Sequence, residues 1–513
     1  MTPDSPKSKE KDQSRLWHFS GYVDKKMTVL LTTMAAMGFL IVLLQALYSG
    51  RSCPCGIPLQ QSITISPPLQ DLKATVIHSN TTRTEAYDLP KDNKVIKPQS
   101  QGESTIYADE RHLVPHGLGA YLFVHMGTYR GGPNTFATVG LASKPLHVFG
   151  NPYFICEWIP ASSVNFNGTV TAKGWRILPD WGYGRVYTVV VVNCTFDNDV
   201  GTDAGGGELI VHAHHGDSFG KSARIPVLKE APEQYNASVF NPPYPYDYLY
   251  CGSSLFGEIN SQRIREWMAY HAKIFGPRSH FVFHDAGGIH RDVQKVLEPW
   301  VKIGRVTIQN IREQEKYDGY YYNQFLIVND CLHRYRFKAD WTFFFDVDEY
   351  IYTPPGTSLA EALKSVASYT QFTFEQMPMS NKHCLATDNT TVSDFSSSWG
   401  FEKLVFHNVK KGVRLDRKYA IRARNAFATG VHMSENIIGQ TTHSKGRKIK
   451  YYHYHDTISY KGEVCREFVS PHNQASTVWF EKIPYKYDGS MVPLAAAVKE
   501  FELQQIGPQP LAS

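Results

Sequence analysis

The sequence predicts an α/β domain built on a mostly parallel sheet, preceded by a β-sandwich and, at the N-terminus, by a helix that crosses a membrane. Three observations predict this. From about residue 241 onward, apolar runs of strand length alternate with stretches of helical periodicity, the order of a parallel sheet wrapped by helices. From 106 to 232, short apolar or aromatic runs are separated by Gly, Pro and Asn clusters with no helical pattern between them. Residues 27–48 (MTVLLTTMAAMGFLIVLLQALY) are apolar, uncharged and long enough to span a bilayer as a helix.

The apolar segment also sets an orientation. Lys7, Lys9, Lys11, Arg15, Lys25 and Lys26 precede it and only Arg51 follows closely, which leaves the N-terminus in the cytosol and sends the rest across the membrane. A cleaved signal peptide is the competing reading, but the run is longer than a signal core and no clear small-residue cleavage site precedes the Cys-Pro-Cys stretch. The partition is therefore a cytosolic tail (1–26), an anchor (27–48), a Pro/Ser/Thr/Asn-rich stem (49–105), a β domain (106–240) and an α/β domain (241–500). A chain of 513 residues is too long for one ordinary core, and 42% apolar and 20% charged residues are globular values. The net charge of +5 is spread thinly beyond the tail, which argues against a nucleic-acid partner.

A lumenal location predicts glycosylation and disulfides. Asn-x-Ser/Thr triplets occur at Asn80, Asn167, Asn193, Asn236 and Asn389, all past the anchor. Cys156 and Cys194 lie in strand-like runs of one region and form the best predicted pair. Cys251 and Cys331 fall in apolar elements and read as buried thiols, with Cys384 and Cys465 in the same later domain. Cysteine spacing gives no zinc pattern.

In the β domain the predicted strands cover 120–125, 146–149, 153–158, 185–193 and 208–212. Trp158, Trp175, Trp181, Tyr183 and Tyr187 offer flat faces with polar edges, suited to a sugar platform and equally to a core. His212, His214 and His215 read as a strand end with one inward and two outward imidazoles rather than a metal site. In the α/β domain, Ile264, Trp267, Met268, His271 and Phe275 mark one helix face, ended by Gly276-Pro277. Residues 280–284 form a strand, 293–300 a helix, 305–311 a strand, 321–337 a helix and 341–345 (WTFFF) a wholly apolar strand.

Ligands of such sheets sit at the carboxyl ends of the strands. The end of WTFFF carries Asp346-Val347-Asp348-Glu349. In extended chain Asp346 and Asp348 face one way and offer oxygens to one divalent cation, which keeps room for a substrate phosphate. Such a cation neutralises the charge on a departing diphosphate.

Residues 341–350 (WTFFFDVDEY) resemble the metal-site segment of glycosyltransferase family 92. The likeness extends to Glu266-Trp267, the segment HFVFHD ending at Asp285, Asn323-Gln324, Asp330-Cys331 and Val431-His432, over residues 245–470. With its anchor and β domain, the whole chain is similar to the plant galactan synthases. The resemblance implies a GT-A-type transferase domain, a carbohydrate-binding-like β domain, UDP-galactose as donor, a β-1,4-galactan acceptor of pectin, manganese, inversion at the anomeric carbon and a Golgi membrane address. A homodimer is kept as an expected assembly.

Within that reading Asp346 and Asp348 hold the metal together with a late histidine. Residues 451–456 (YYHYHD) offer His453 and His455 on one strand face, and His453 is preferred for its family-like His-Tyr pair. Lys445, Arg447, Lys448 and Lys450 stand near for a diphosphate. An inverting displacement needs an acceptor-side base, for which Glu402, after Trp399-Gly400-Phe401, is the candidate and Asp394 the second. Asp285 and Gln324 suit the uridine and donor, or else cap a turn and a helix. Two alternatives stay open: another UDP-sugar donor, or a glycan-binding scaffold with an inactive transferase fold.

Overall fold

The computed structural model describes residues 107–117, 123–143, 153–161, 170–176, 186–214, 222–317, 321–386, 398–411, 415–444, 448–469 and 477–509. The tail, the segment 27–48 and the stem lie outside the described residues, as do the predicted strand 146–149, Trp181, Tyr183, His215, Asn80, Asn167, Asn389, Asp394, Lys445 and Arg447. Among the described residues no helix is long and apolar enough to cross a membrane.

The β region is one antiparallel sheet of eight strands. Its spatial order is Val114–His116, Phe123–Arg130, Thr135–Ser143, Tyr187–Thr195, Val170–Arg176, Tyr153–Pro160, Gly207–His214 and Ser222–Glu230. Rather than forming two separate layers, the sheet curls until its last strand returns beside Phe123–Arg130. Strand alternation supplies the inside: Phe154, Cys156 and Trp158 are buried, with half-buried residues between them. The Cys156–Cys194 disulfide crosses the intervening strand over Gly174, where a Cβ would meet Val192 Cγ1 at 2.7 Å and Cys156 Sγ at 3.1 Å. His212 and His214 share the outward face, His212 bonded to Glu157 at 2.6 Å and His214 stacked on Tyr153.

The second sheet has ten strands. Its parallel part runs Tyr107–Glu110, Val306–Asn310, Ser279–Asp285, Tyr246–Leu255, Ala339–Phe344. Beyond Ala339–Phe344 it becomes mixed, through Arg417–Ile421, Gln371–Pro378, Lys450–His453 and Glu349–Tyr352. The edge strand Tyr107–Glu110, assigned by sequence to the β domain, thus belongs to the α/β sheet. Two-residue alternation sorts the faces. Tyr250, Phe281, Phe283 and Phe343 pack on helices Ser261–Phe275 and Arg291–Lys302, while Leu249, Cys251, Val282 and Phe344 pack on helix Gln324–Arg334.

Helix Ser261–Phe275 starts where the Asn260 side chain accepts the Arg263 N–H and stops at Gly276, with φ of 75°. The expected helix 321–337 is shorter, because Tyr321, Tyr322 and Asn323 all take left-handed φ values of 47°, 54° and 56°. That turn is held by the Asn323 amide, which reaches the Gln314 side chain and the Tyr317 carbonyl at 3.0 Å each. Cys251 and Cys331 are not free thiols: they bond strand Tyr246–Leu255 to helix Gln324–Arg334, and Cys384 bonds Cys465.

The two sheets share a core. The outer face of the β sheet, with Val124, Met126, Leu141 and Val191, packs on Leu326 and Ile327 of helix Gln324–Arg334. Strand Thr135–Ser143 is therefore buried along nearly its whole length. Beside this seam Asp330, with its side chain fully buried, accepts hydrogen bonds from Arg111 at 2.6 Å and from Tyr129.

Candidate active site

Strand Ala339–Phe344 is buried on both faces and ends where the parallel strands end. The chain then turns instead of staying extended: the Glu349 N–H bonds the Asp346 carbonyl at 3.2 Å, and a new strand begins at Glu349. The indole of buried Trp267 donates to the Asp346 carbonyl at 3.2 Å and the Glu349 carbonyl at 2.9 Å, pinning both ends of the turn. Glu266, next to it and fully buried, holds Arg263 and the Gly400 N–H.

Both aspartates of this turn line one cavity, with different partners. Asp346 Oδ1 accepts from Ser253 Oγ at 2.9 Å and Oδ2 from Lys418 Nζ at 2.6 Å. Asp348 Oδ2 lies 3.5 Å from His453 Nε2. Ligand atoms of Asp348, Glu349 and His453 lie within 4.8 Å of one another, and no other such group occurs among the described residues. Two carboxylates and one imidazole suit a divalent ion such as manganese, so the residues present fit the metal. Asp346 stands beside this group rather than within it.

The electrostatics follow from burial and pairing. Burial would raise the Asp346 carboxyl, but the Lys418 ammonium and the Ser253 hydroxyl override it and hold the group below its ordinary range. Burial, with Asp346 and Asp348 nearby, pushes Glu349 above its ordinary range despite Lys418. Burial pulls His453 down, yet Asp348 and Glu349 outweigh it and bring the imidazole up to about 9. Lys418 is only 4% exposed and also lies 3.6 Å from Glu349, so one buried ammonium serves two carboxylates. The Gln376 amide nitrogen lies 2.6 Å from His453 Nδ1, and its Oε1 accepts the Asp416 N–H at 3.1 Å.

A cavity of about 610 Å³ opens over these groups. Its lining includes Ser253 and Ser254 near the end of strand Tyr246–Leu255, Phe256 just after it, Tyr321 and Gln324, and also Asp416, His432 and His455. Phe256 stacks on Tyr322 at 3.8 Å between centroids, and Ser254 Oγ donates to the Tyr322 carbonyl at 2.7 Å. Three successive non-glycine residues in left-handed backbone cost about 1–2 kcal/mol each, and this strain sits at the cavity mouth.

The other residues singled out by sequence fall differently. Gln324 lines the cavity as the first residue of its helix. His455 also reaches the cavity, but it follows the end of strand Lys450–His453, is two-thirds exposed and pairs with Asp456. Asp285 is fully buried and occupied: it accepts from Tyr107 at 2.6 Å, Arg312 at 2.7 Å and the N–H groups of Gly287 and Ile289 at 2.9 Å each. It ties the edge strand to the sheet and does not line the cavity. Glu402 is also away from it. Its carboxylate accepts the Trp399 N–H that opens its own short helix and pairs with Lys499 at 2.5 Å, beside a separate cavity. Lys450 lies over the Tyr352 and Tyr452 rings near Asp488 rather than at the carboxylates. Lys418, Glu349 and Gln376 were not assigned roles from sequence. Lys418 lies in the Arg-Lys start of a strand, which reads as a solvated charge pair, and only the fold shows it buried.

A carboxylate-histidine cluster beneath a cavity at the carboxyl edge of parallel strands is the site of a glycosyltransferase, which joins a sugar donor to an acceptor. The family is then unambiguous: residues 246–491 match the model of glycosyltransferase family 92, and the chain belongs to that family. It is 56% identical over 400 residues to galactan beta-1,4-galactosyltransferase GALS1 of Arabidopsis thaliana, covering 78% of this chain and 79% of that one. The Arabidopsis thaliana galactan beta-1,4-galactosyltransferases GALS3 and GALS2 are 49% and 50% identical over 404 residues each, with 78% and 77% of this chain and 79% and 76% of theirs covered.

Proposed function

We propose that this enzyme is an inverting, manganese-dependent galactosyltransferase of GT-A type that moves galactose from UDP-galactose onto β-1,4-galactan chains of pectin. The observation that carries the reading is the Asp348–Glu349–His453 group under its cavity, in a chain that matches three galactan galactosyltransferases over more than three-quarters of its length. A bound divalent metal supplies neutralisation of the charge that develops on the departing diphosphate. The chain's own residues do the rest. Asp348, Glu349 and His453 hold the ion; Lys418 keeps Asp346 ionised and fixed toward Ser253. The wall of Phe256, Tyr321 and Gln324 takes the uridine, a flat ring with hydrogen-bonding edges. The rest of the lining, with His432 and His455, is left for the acceptor.

The same reading places the chain in the Golgi membrane as a single-pass protein with a lumenal catalytic domain, on the charge asymmetry about residues 27–48. An acceptor triplet at exposed Asn236 agrees with that side of the membrane. The curled β sheet serves as a carbohydrate-binding-like domain for the galactan. The test is a donor screen with the purified lumenal portion, a galacto-oligosaccharide acceptor and a panel of UDP-sugars. UDP-galactose should give β-1,4-linked products by NMR, starting from the α-linked donor. Preference for another donor, or a retained α configuration, would refute the assignment.

A further inference from the structure

A second cavity, of about 520 Å³, adjoins the catalytic one, and its volume is in the range of ligand sites. Consecutive residues line the two. Ile259 lies in the first lining and Asn260 in the second; Ile458 and Ser459 lie in the first, Lys461 and Gly462 in the second. The Asn260 N–H donates to the Ile458 carbonyl at 2.7 Å, and its side-chain amide donates to the Tyr460 carbonyl at 2.7 Å. Two hydrogen bonds thus tie together the segments that both cavities share. Building on the transferase reading above, we propose that the second cavity is an acceptor subsite, which holds galactosyl units of the β-1,4-galactan away from the reacting end.

The lining selects a neutral sugar. Arg265 pairs with Glu502 at 2.8 Å and Lys403 with Glu463 at 2.9 Å, and all four residues line the cavity. Arg263, Lys461 and Lys499 line it as well, paired with Glu266, Glu258 and Glu402. Each of these five cations therefore has a carboxylate already. An anionic ligand would have to displace such a carboxylate, and breaking a buried pair is strongly unfavourable. A sugar hydroxyl both donates and accepts, so it adds bonds to an ion pair without breaking it: ammonium and guanidinium groups carry several donors, and a carboxylate several lone pairs. Trp399 and Leu503 add apolar surface for the C–H faces of a sugar ring.

The site is set before a ligand arrives. Arg263 and Lys403 are buried, and fully buried Glu266 holds Arg263 at 2.5 Å and the Gly400 N–H at 2.9 Å. Asn260 also caps helix Ser261–Phe275, its side chain accepting the Arg263 N–H at 3.1 Å. Side chains already fixed in this way lose little further freedom on binding. The spacing suits a polymer. Ser459 and Lys461 are two residues apart, so along this segment the two linings come within about 7 Å of each other. A chain whose last sugar occupies the catalytic cavity must continue outside it, and the second cavity begins there.

The test compares the full chain with its Lys461→Ala/Lys499→Ala variant. Both lysines are partly exposed and neither lines the catalytic cavity. With UDP-galactose and manganese, KM for a long β-1,4-galacto-oligosaccharide should rise at least about tenfold, the effect of losing one hydrogen bond to a charged group. For a β-1,4-linked disaccharide acceptor, kcat and KM should stay within about twofold of wild type. Calorimetry without donor should show the same weakening for the long oligosaccharide. An unchanged KM and affinity for the long oligosaccharide overturn the subsite. Equal losses on the long and short acceptors overturn it too, and make the lysines supports of the catalytic cavity. Binding of an oligogalacturonate that the variant loses, with galacto-oligosaccharide binding unchanged, overturns the neutral-sugar assignment. A wild type that binds the long oligosaccharide through these lysines but transfers no galactose refutes the transferase reading and leaves the binding site standing.

Discussion

Lys418 shows how much of this site rests on single charges. Its ammonium is buried, 2.6 Å from Asp346 and 3.6 Å from Glu349, and Glu349 is itself buried. Lys418→Met leaves Glu349 without its cation, a change of the class that costs about 3 kcal/mol when a buried pair is broken. The variant should melt at lower temperature, and manganese should recover more of the loss than it adds to wild type; an unchanged melting curve would remove the pairing from the account. His453 carries a pH prediction. In the metal-free chain Asp348 and Glu349 hold it up at about 9, so at pH 7 it is protonated and metal must displace that proton. Affinity for manganese should therefore rise with pH and level off near 9, with the proton of His453 released on binding and, toward pH 6.5, that of Glu349 as well. Titration calorimetry at three pH values in two buffers reads both quantities, and a flat affinity between pH 6.5 and 8.5 contradicts the assignment of His453. At this scale the sequence was partly legible. Asp346 and Asp348 were found from an apolar strand ending in carboxylates. The turn that carries them was not, because it is pinned by Trp267 from a distant helix. Glu402 pairs with Lys499 and its own helix start, contacts that an aromatic run before a carboxylate does not signal.

Among the elements, helix Gln324–Arg334 joins the whole arrangement. Its first residue lines the cavity, its Cys331 bonds Cys251 of the strand that carries Ser253 and Ser254, and its Asp330 anchors Arg111 and Tyr129. The Cys251–Cys331 bridge closes a separation of 80 residues, for which chain entropy gives about 4 kcal/mol. A Cys251→Ala/Cys331→Ala variant should unfold at markedly lower denaturant concentration, and an unchanged midpoint would show the bridge to be incidental. Asp330→Ala should destabilise the fold by taking the carboxylate from half-buried Arg111 and from Tyr129, while metal affinity of the folded fraction is kept. Loss of metal affinity in the folded protein would place Asp330 in the site rather than in the seam. Helical and strand periodicities marked these elements well, from Ile264 to Phe275 above all. They failed at Tyr321–Asn323, where the Asn323 clamp on Gln314 and Tyr317 overrides an apparently helical run. They also failed for the two cysteines, since an apolar setting looks the same for a buried thiol and a buried bridge.

For the molecule as a whole, the two sheets of residues 98–513 form one compact unit. The sequence presented them as successive modules, because composition changes character near residue 241 while the shared surface leaves no separate signature. Thr135–Ser143 is the clue in retrospect: a strand buried on both sides needs cover on its outer face, and Leu326 and Ile327 provide it. A protein beginning near residue 241 would expose that face. It should aggregate and lose activity on short and long acceptors alike, whereas a purely glycan-holding β domain predicts loss on long acceptors alone. The central claim, that the carboxylate-histidine group carries galactosyl transfer, is tested most directly by one assay: NMR of the products formed by the protein without residues 1–48 from UDP-galactose and a β-1,4-galacto-oligosaccharide, for wild type and Asp348→Ala, with manganese or with chelator. The account predicts new β-1,4 linkages only for wild type with manganese; equal product in chelator, or from the Asp348→Ala variant, would contradict it.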